Sequence, residues 1–297
     1  MTDADRSFPG FREHVAQGEH GAIFARVGGS GPPLLLIHGF PQTHMEWAGL
    51  APALADRFTV VAMDLRGYGR SAAPASQGGA LYTKRWMAKD ARALMASLGF
   101  ARFNVCGHDR GGRVAYRLAL DAPEAVEKIA VLDIVPTGAM WAGMGARMAM
   151  TTYHWMFLAQ PAPLPERMIG ADALFYLDWT LASWTKDRSL ACFPPASLAA
   201  YRAALTRPQN ISAYCEDYRA GATLDRGYDE EDRAAGRKIA APLLALWGDA
   251  GIPAEGVSPL DVWRDWASDV RGHAIPCGHF LPEEAPRETL AALRAFF

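Results

Sequence analysis

The sequence predicts an α/β fold: one mostly parallel central sheet, helices packed against it, and an inserted helical cap. Three observations carry that expectation. Short apolar runs alternate with helical patterns, the alternation stops across residues 138–225, and a Gly-x-Asp-x-Gly turn joins an apolar run to a helix at residues 107–111.

In chain order, residues 22–27 read as a strand, Gly28-Gly29-Ser30-Gly31 as a turn, and residues 33–37 as a buried strand ending at His38-Gly39-Phe40. The next apolar run, 58–63, ends at Asp64-Leu65-Arg66-Gly67-Tyr68-Gly69-Arg70-Ser71, and residues 103–106, 128–132 and 242–247 repeat the pattern. Helical spacing fills 83–98 and 113–121. Residues 138–225 are rich in Met, Trp, Tyr and Ala at helical spacing. There Pro161-Ala162-Pro163-Leu164-Pro165 marks a loop, because consecutive prolines cannot continue a helix. The expected organisation is a core at 1–137, a cap at 138–225 and the second part of the core at 226–297. Such a cap closes over the strand ends, where open α/β sheets bind ligands.

Composition narrows the function. Half of the 297 residues are apolar, enough for one large domain with an insertion. A net charge of −2 with scattered Lys and Arg gives no basic face, so the expected partner is a small molecule and not nucleic acid. The acidic opening MTDADRSFPGF lacks the order of a signal peptide, and the longest apolar runs are too short to span a bilayer. A cytoplasmic protein without a membrane partner is expected. Cys106, Cys192, Cys215 and Cys277 are too dispersed for a metal motif or a disulfide framework and read as reduced thiols. No histidine pair has metal-ligand spacing with a nearby carboxylate, and Gly28–Gly31 opens no helix as a nucleotide loop would, so neither metal nor cofactor is expected.

The chemistry concentrates at Cys106-Gly107-His108-Asp109-Arg110-Gly111-Gly112-Arg113. The Gly-x-nucleophile-x-Gly turn usually presents serine, and here it presents Asp109. A carboxylate attacking a carbonyl would form an anhydride, whereas at an sp3 carbon it displaces a leaving group and leaves an ordinary ester. Asp109 therefore points to displacement at alkyl carbon, followed by hydrolysis of an aspartyl ester. Arg110 and Arg113 lie three apart on one helix face, and their guanidinium forks match a carboxylate. The backbone N–H groups of Phe40 and Arg110 are the expected oxyanion donors.

Together with Tyr153-His154-Trp155, Cys215-Glu216-Asp217-Tyr218-Arg219 and Gly278-His279-Phe280, these stretches closely resemble the fluoroacetate (haloacetate) dehalogenase family within the α/β-hydrolase fold. The resemblance covers almost the whole chain. It implies Asp109 as nucleophile, His279 as the base that activates water, and Asp133 as the acid orienting His279. Asp249 competes for that last role, but Gly248-Asp249-Ala250-Gly251 places glycine where many relatives of this fold carry the acid. The resemblance further implies Arg110 and Arg113 on the substrate carboxylate, His154, Trp155 and Tyr218 on the departing halide, and a homodimer. On spacing alone, Trp155 and Tyr218 read as cap core. An epoxide hydrolase with the same Asp-Asp-His set, or a catalytically silent binding protein on this fold, are the alternatives.

Overall fold

The computed structural model describes residues 6–251 and 258–297. Its centre is an eight-stranded sheet of β1 (Arg12–Gly18), β2 (Gly21–Gly28), β3 (Pro33–Ile37), β4 (Thr59–Met63), β5 (Phe103–His108), β6 (Val126–Leu132), β7 (Leu243–Gly248) and β8 (Val270–Ile275). The spatial order is β1-β2-β4-β3-β5-β6-β7-β8. Only the β1–β2 and β2–β4 ladders are antiparallel.

Parallel strands covered by helices on both faces need continuous apolar sequence rather than alternation. Leu34 to Ile37 and all of β5 are buried, which meets that requirement. The two edge strands do not. Of β1, REHVAQG, only Ala16 is buried, and of β8, VRGHAI, only Ile275. Their polar composition suits an edge and conceals them from a reading that searches for apolar runs.

Thr83 starts the Lys84–Ser97 helix by accepting the Trp86 N–H on its hydroxyl. The Arg110–Asp121 helix begins directly after Asp109, a turn earlier than helical spacing suggests, because Gly111 and Gly112 mask its first turn in the sequence. Between β6 and β7, helices alone occupy the chain from Thr137–Ala142 through Leu224–Ala234. The Pro208–Ala222 helix anchors this insertion. Its buried Asp217 pairs with Lys84 and Arg110 of the core and accepts the Tyr68 hydroxyl at 2.7 Å. Since β3, β5, β6, β7 and β8 run in one direction, their C-terminal ends share an edge of the sheet, and the helical insertion packs there.

Candidate active site

Asp109 occupies the turn between β5 and its helix with φ of 42°, a strained conformation for a non-glycine residue. Glycine spacing permits it. A Cβ on Gly107 would come within 2.3 Å of the Gly111 carbonyl and one on Gly111 within 2.2 Å of the Ile37 carbonyl, so the helix can pass this close to β5 and β3 only with glycine at both positions. The carboxylate is buried, and its Oδ2 accepts the Phe40 N–H at 3.0 Å. Burial alone would raise its pKa, but His279, Arg110, Arg113 and His108 outweigh that and hold it below the usual aspartate value. It is an ionised carboxylate held in place by the turn.

His279 lies beyond β8, tied to the insertion by its N–H, which donates to the Trp184 carbonyl at 2.9 Å. Its Nδ1 is 2.6 Å from Asp133 Oδ2. Asp133, at the end of β6 with φ of 51°, also accepts the Gly248 N–H on Oδ1 at 2.9 Å. With Nδ1 facing the carboxylate, Nε2 is left for the cavity. Asp249 is elsewhere, half exposed and paired with Lys186 at 2.9 Å. The glycine at the alternative acid position is structural. A Cβ on Gly251 would sit 2.3 Å from Asp133 Oδ1, so the Asp133 carboxylate fills the space a side chain there would need.

Asp109, Asp133, His279, Arg113, His154 and Trp155 line one cavity of about 10 Å³, room for the centre of about one water molecule. Ile134, Val135, Met140 and Trp184 complete the wall, and spacing gave no signal for any of them. Larger hollows of about 390 and 840 Å³ lie on the surface and contain none of these polar groups. In the small one the Asp109 carboxylate, the His279 imidazole and the Arg113 cation converge.

The two arginines differ. Arg110 is bidentate on Asp217, at 3.0 Å from Nε and 2.8 Å from one terminal nitrogen, and its guanidinium carbon lies 4.2 Å from the Tyr218 ring centre. Arg113 donates only to the Val135 carbonyl at 3.0 Å and the Thr137 hydroxyl at 3.1 Å. Its guanidinium sits 4.6 Å from the Trp155 ring centre, and among the described residues no carboxylate pairs with it. Burial and the neighbouring Arg110 charge press its pKa below the ordinary arginine value. The site thus holds a buried cation that makes no ion pair among the described residues, with the Asp109 charge in the same cavity favouring its protonated form.

His154, Trp155 and Tyr218 form one aromatic cluster, with the Tyr218 ring 5.6 Å from His154 and 6.3 Å from Trp155. Phe40 stacks on His154 at 6.5 Å, and Trp184 lies 4.3 Å from it. Burial pulls the His154 pKa down to about 3, so the ring is neutral at neutral pH and donates through one nitrogen. Burial, reinforced by the Asp109 charge, raises the Tyr218 phenol well above its usual value and keeps it a donor.

This arrangement brings together a buried carboxylate, an imidazole, a guanidinium without an ion-pair partner among the described residues, and neutral N–H and O–H groups. A family model described as alpha/beta hydrolase fold matches residues 32–286. The chain is 42% identical to a fluoroacetate dehalogenase of Burkholderia sp. over 97% of its own length and 94% of that protein. It is 35% identical to a soluble epoxide hydrolase of Corynebacterium sp. strain C12, covering 91% of each. Among solved structures, a protein from Nostoc sp. PCC 7120 described as an α/β hydrolase superposes with a TM-score of 0.93 at 48% identity, over 96% of this chain and 97% of that one.

Proposed function

The chain belongs to the α/β-hydrolase fold family, and from that premise we propose that it hydrolyses the carbon–halogen bond of short 2-haloacids such as fluoroacetate and chloroacetate, releasing glycolate and halide. The observation that carries this reading is Arg113, a buried guanidinium without a carboxylate partner among the described residues, in the wall of the cavity that holds Asp109. A halocarboxylate supplies the missing anion and brings its α-carbon to the nucleophile.

In the first step the free Asp109 oxygen attacks the halogen-bearing carbon, the carbon–halogen bond breaks with its electron pair, and an aspartyl ester forms. The halide leaves toward His154, Trp155 and Tyr218, whose neutral donors replace part of its hydration. Oδ2, already on the Phe40 N–H, becomes the ester carbonyl oxygen. In the second step His279, oriented by Asp133, takes a proton from water, and the hydroxide adds to the ester carbonyl carbon. Negative charge then develops on Oδ2, against the Phe40 and Arg110 amides. Collapse returns the His279 proton to the departing glycolate oxygen and regenerates the Asp109 carboxyl group, which ionises. No cofactor enters this balance.

Arg113 also separates this reading from epoxide hydrolysis, because a neutral epoxide brings no anion to the buried cation. Homodimerisation fits the apolar side chains exposed on the insertion, with Phe175 at 63% and Trp179 at 57% exposure. The test is halide release from fluoroacetate and chloroacetate, read by ion electrode, with Asp109→Asn as control. Release that the substitution abolishes is expected. Turnover of a simple epoxide without halide release would overturn the proposal.

A further inference from the structure

Behind the nucleophile lies a second carboxylate–imidazole pair that the reaction above leaves without a task. Glu46, on the short turn of helix His44–Gly49, is 1% exposed, and His108, the last residue of β5, is fully buried. Glu46 Oε2 accepts the Gly39 N–H at 3.0 Å, holding the peptide next to the Phe40 amide. Its Oε1 lies 3.2 Å from His108 Nδ1, a charge contact rather than an aligned hydrogen bond. The other ring nitrogen, Nε2, is 2.8 Å from the backbone oxygen of His279. A carbonyl oxygen can only accept, so Nε2 carries a proton. Nδ1 faces a carboxylate that already accepts from Gly39. A carbonyl oxygen at Nε2 and a carboxylate oxygen 3.2 Å from Nδ1 favour the imidazolium over the neutral ring.

We propose that Glu46 and a protonated His108 act as a positioning pair, locking the oxyanion loop, the nucleophile turn and the base loop in one register. Gly39 is held by Glu46, Asp109 follows His108 directly, and the His279 main chain is held by His108 Nε2. The His108 ring also packs 4.7 Å from the His279 ring, and its charge helps to keep Asp109 ionised.

The titratable groups around His108 are Glu46, Asp109, Asp133, His279 and Cys106, with Glu283 facing Glu46 from the other side. Burial works to lower the His108 pKa, but Glu46 and then Asp109 and Asp133 raise it to about 9. Burial and the Glu46 charge raise Glu283 well above the usual glutamate value. A folded pKa above the unfolded value of 6.5 means that this pair stabilises fully below pH 6.5 and loses its contribution as pH rises through about 9.

This inference rests on the displacement reading for its kinetic arm only. The first experiment is NMR of histidine-labelled enzyme, with the His108 ring assigned through His108→Asn. The expected result is an imidazolium at pH 7.5 that becomes neutral in Glu46→Gln; a neutral His108 in the unsubstituted enzyme overturns the proposal whether or not halide is released. In kinetics, Glu46→Gln should lower kcat about ten- to a hundredfold through misplacement of the reacting groups, with KM held within about twofold. The alkaline limb of its pH profile should move to lower pH, and Glu46→Asp should recover part of kcat. An unchanged kcat and alkaline limb in Glu46→Gln would overturn the positioning role. Absence of halide release from the unsubstituted enzyme, with His108 charged, would leave the ion pair standing and defeat the dehalogenase reading instead.

Discussion

Replacing Arg113 by Met separates function from stability at one position. The guanidinium spends one terminal nitrogen on Val135 and Thr137, which leaves Nε and the other terminal nitrogen for a guest carboxylate. Two charge-assisted hydrogen bonds at about 1.5–2 kcal/mol each make roughly 3–4 kcal/mol of substrate binding. At 1.36 kcal/mol per factor of ten, kcat/KM should fall on the order of 10²–10³-fold. Because the bond to the carboxylate is made in ground state and transition state alike, most of the loss should appear in KM. Folding stability should move differently. Methionine removes a buried cation that makes no ion pair among the described residues, a relief that offsets the two lost hydrogen bonds and the lost attraction to Asp109, so Tm should stay close to that of the unsubstituted protein. Initial-rate kinetics on chloroacetate and a thermal melt without substrate measure both. A KM within about twofold of the unsubstituted enzyme, or a marked fall in Tm, would refute the claim that Arg113 is held without an ion-pair partner for the substrate.

Three further outcomes follow from the same geometry. His279→Gln should complete the displacement but not the hydrolysis, and mass spectrometry of protein mixed with chloroacetate should find a carboxymethyl group on Asp109; unmodified protein after a burst of chloride contradicts the two-step route. Gly251→Ala places a methyl group against Asp133 Oδ1 and should cost about 1–3 kcal/mol of stability together with a fall in kcat, measured by urea denaturation and steady-state rates. The His154 pKa in the folded state, about 3, is below its unfolded value of 6.5, so its contribution to stability is present above pH 6.5 and is lost as pH falls toward 3. Relative to His154→Phe, the unsubstituted protein should lose up to about 1.4 kcal/mol per pH unit in that window, and parallel denaturation curves would contradict the assignment.

Much of the sheet was legible because buried parallel strands announce themselves as apolar runs: residues 33–37 coincide with β3, and the runs at 58–63 and 242–247 lie within a residue of β4 and β7. β1 and β8 escaped because an edge strand needs no apolar face toward a neighbour. Among the residues of the cavity, the Asp109 turn was visible because its glycines lie close together in sequence. Asp217 against Arg110 is a pairing across 107 residues, and Glu46 against His108 depends on a short helix meeting the end of β5; neither leaves a local trace. Trp184 looked like any aromatic at the end of an Ala-rich and Leu-rich helix, yet it lines the cavity and contacts both His154 and His279. Only the tertiary path of the insertion brings it there.

The most direct test of the account is a single turnover of chloroacetate in oxygen-18 water with enzyme in excess. If Asp109 displaces halide at carbon and water then attacks the aspartyl carbonyl, the first glycolate released carries unlabelled oxygen and the label appears in the Asp109 carboxylate. Label in the glycolate of that first turnover, with none in Asp109, would mean that water attacks the substrate carbon directly and would contradict the account.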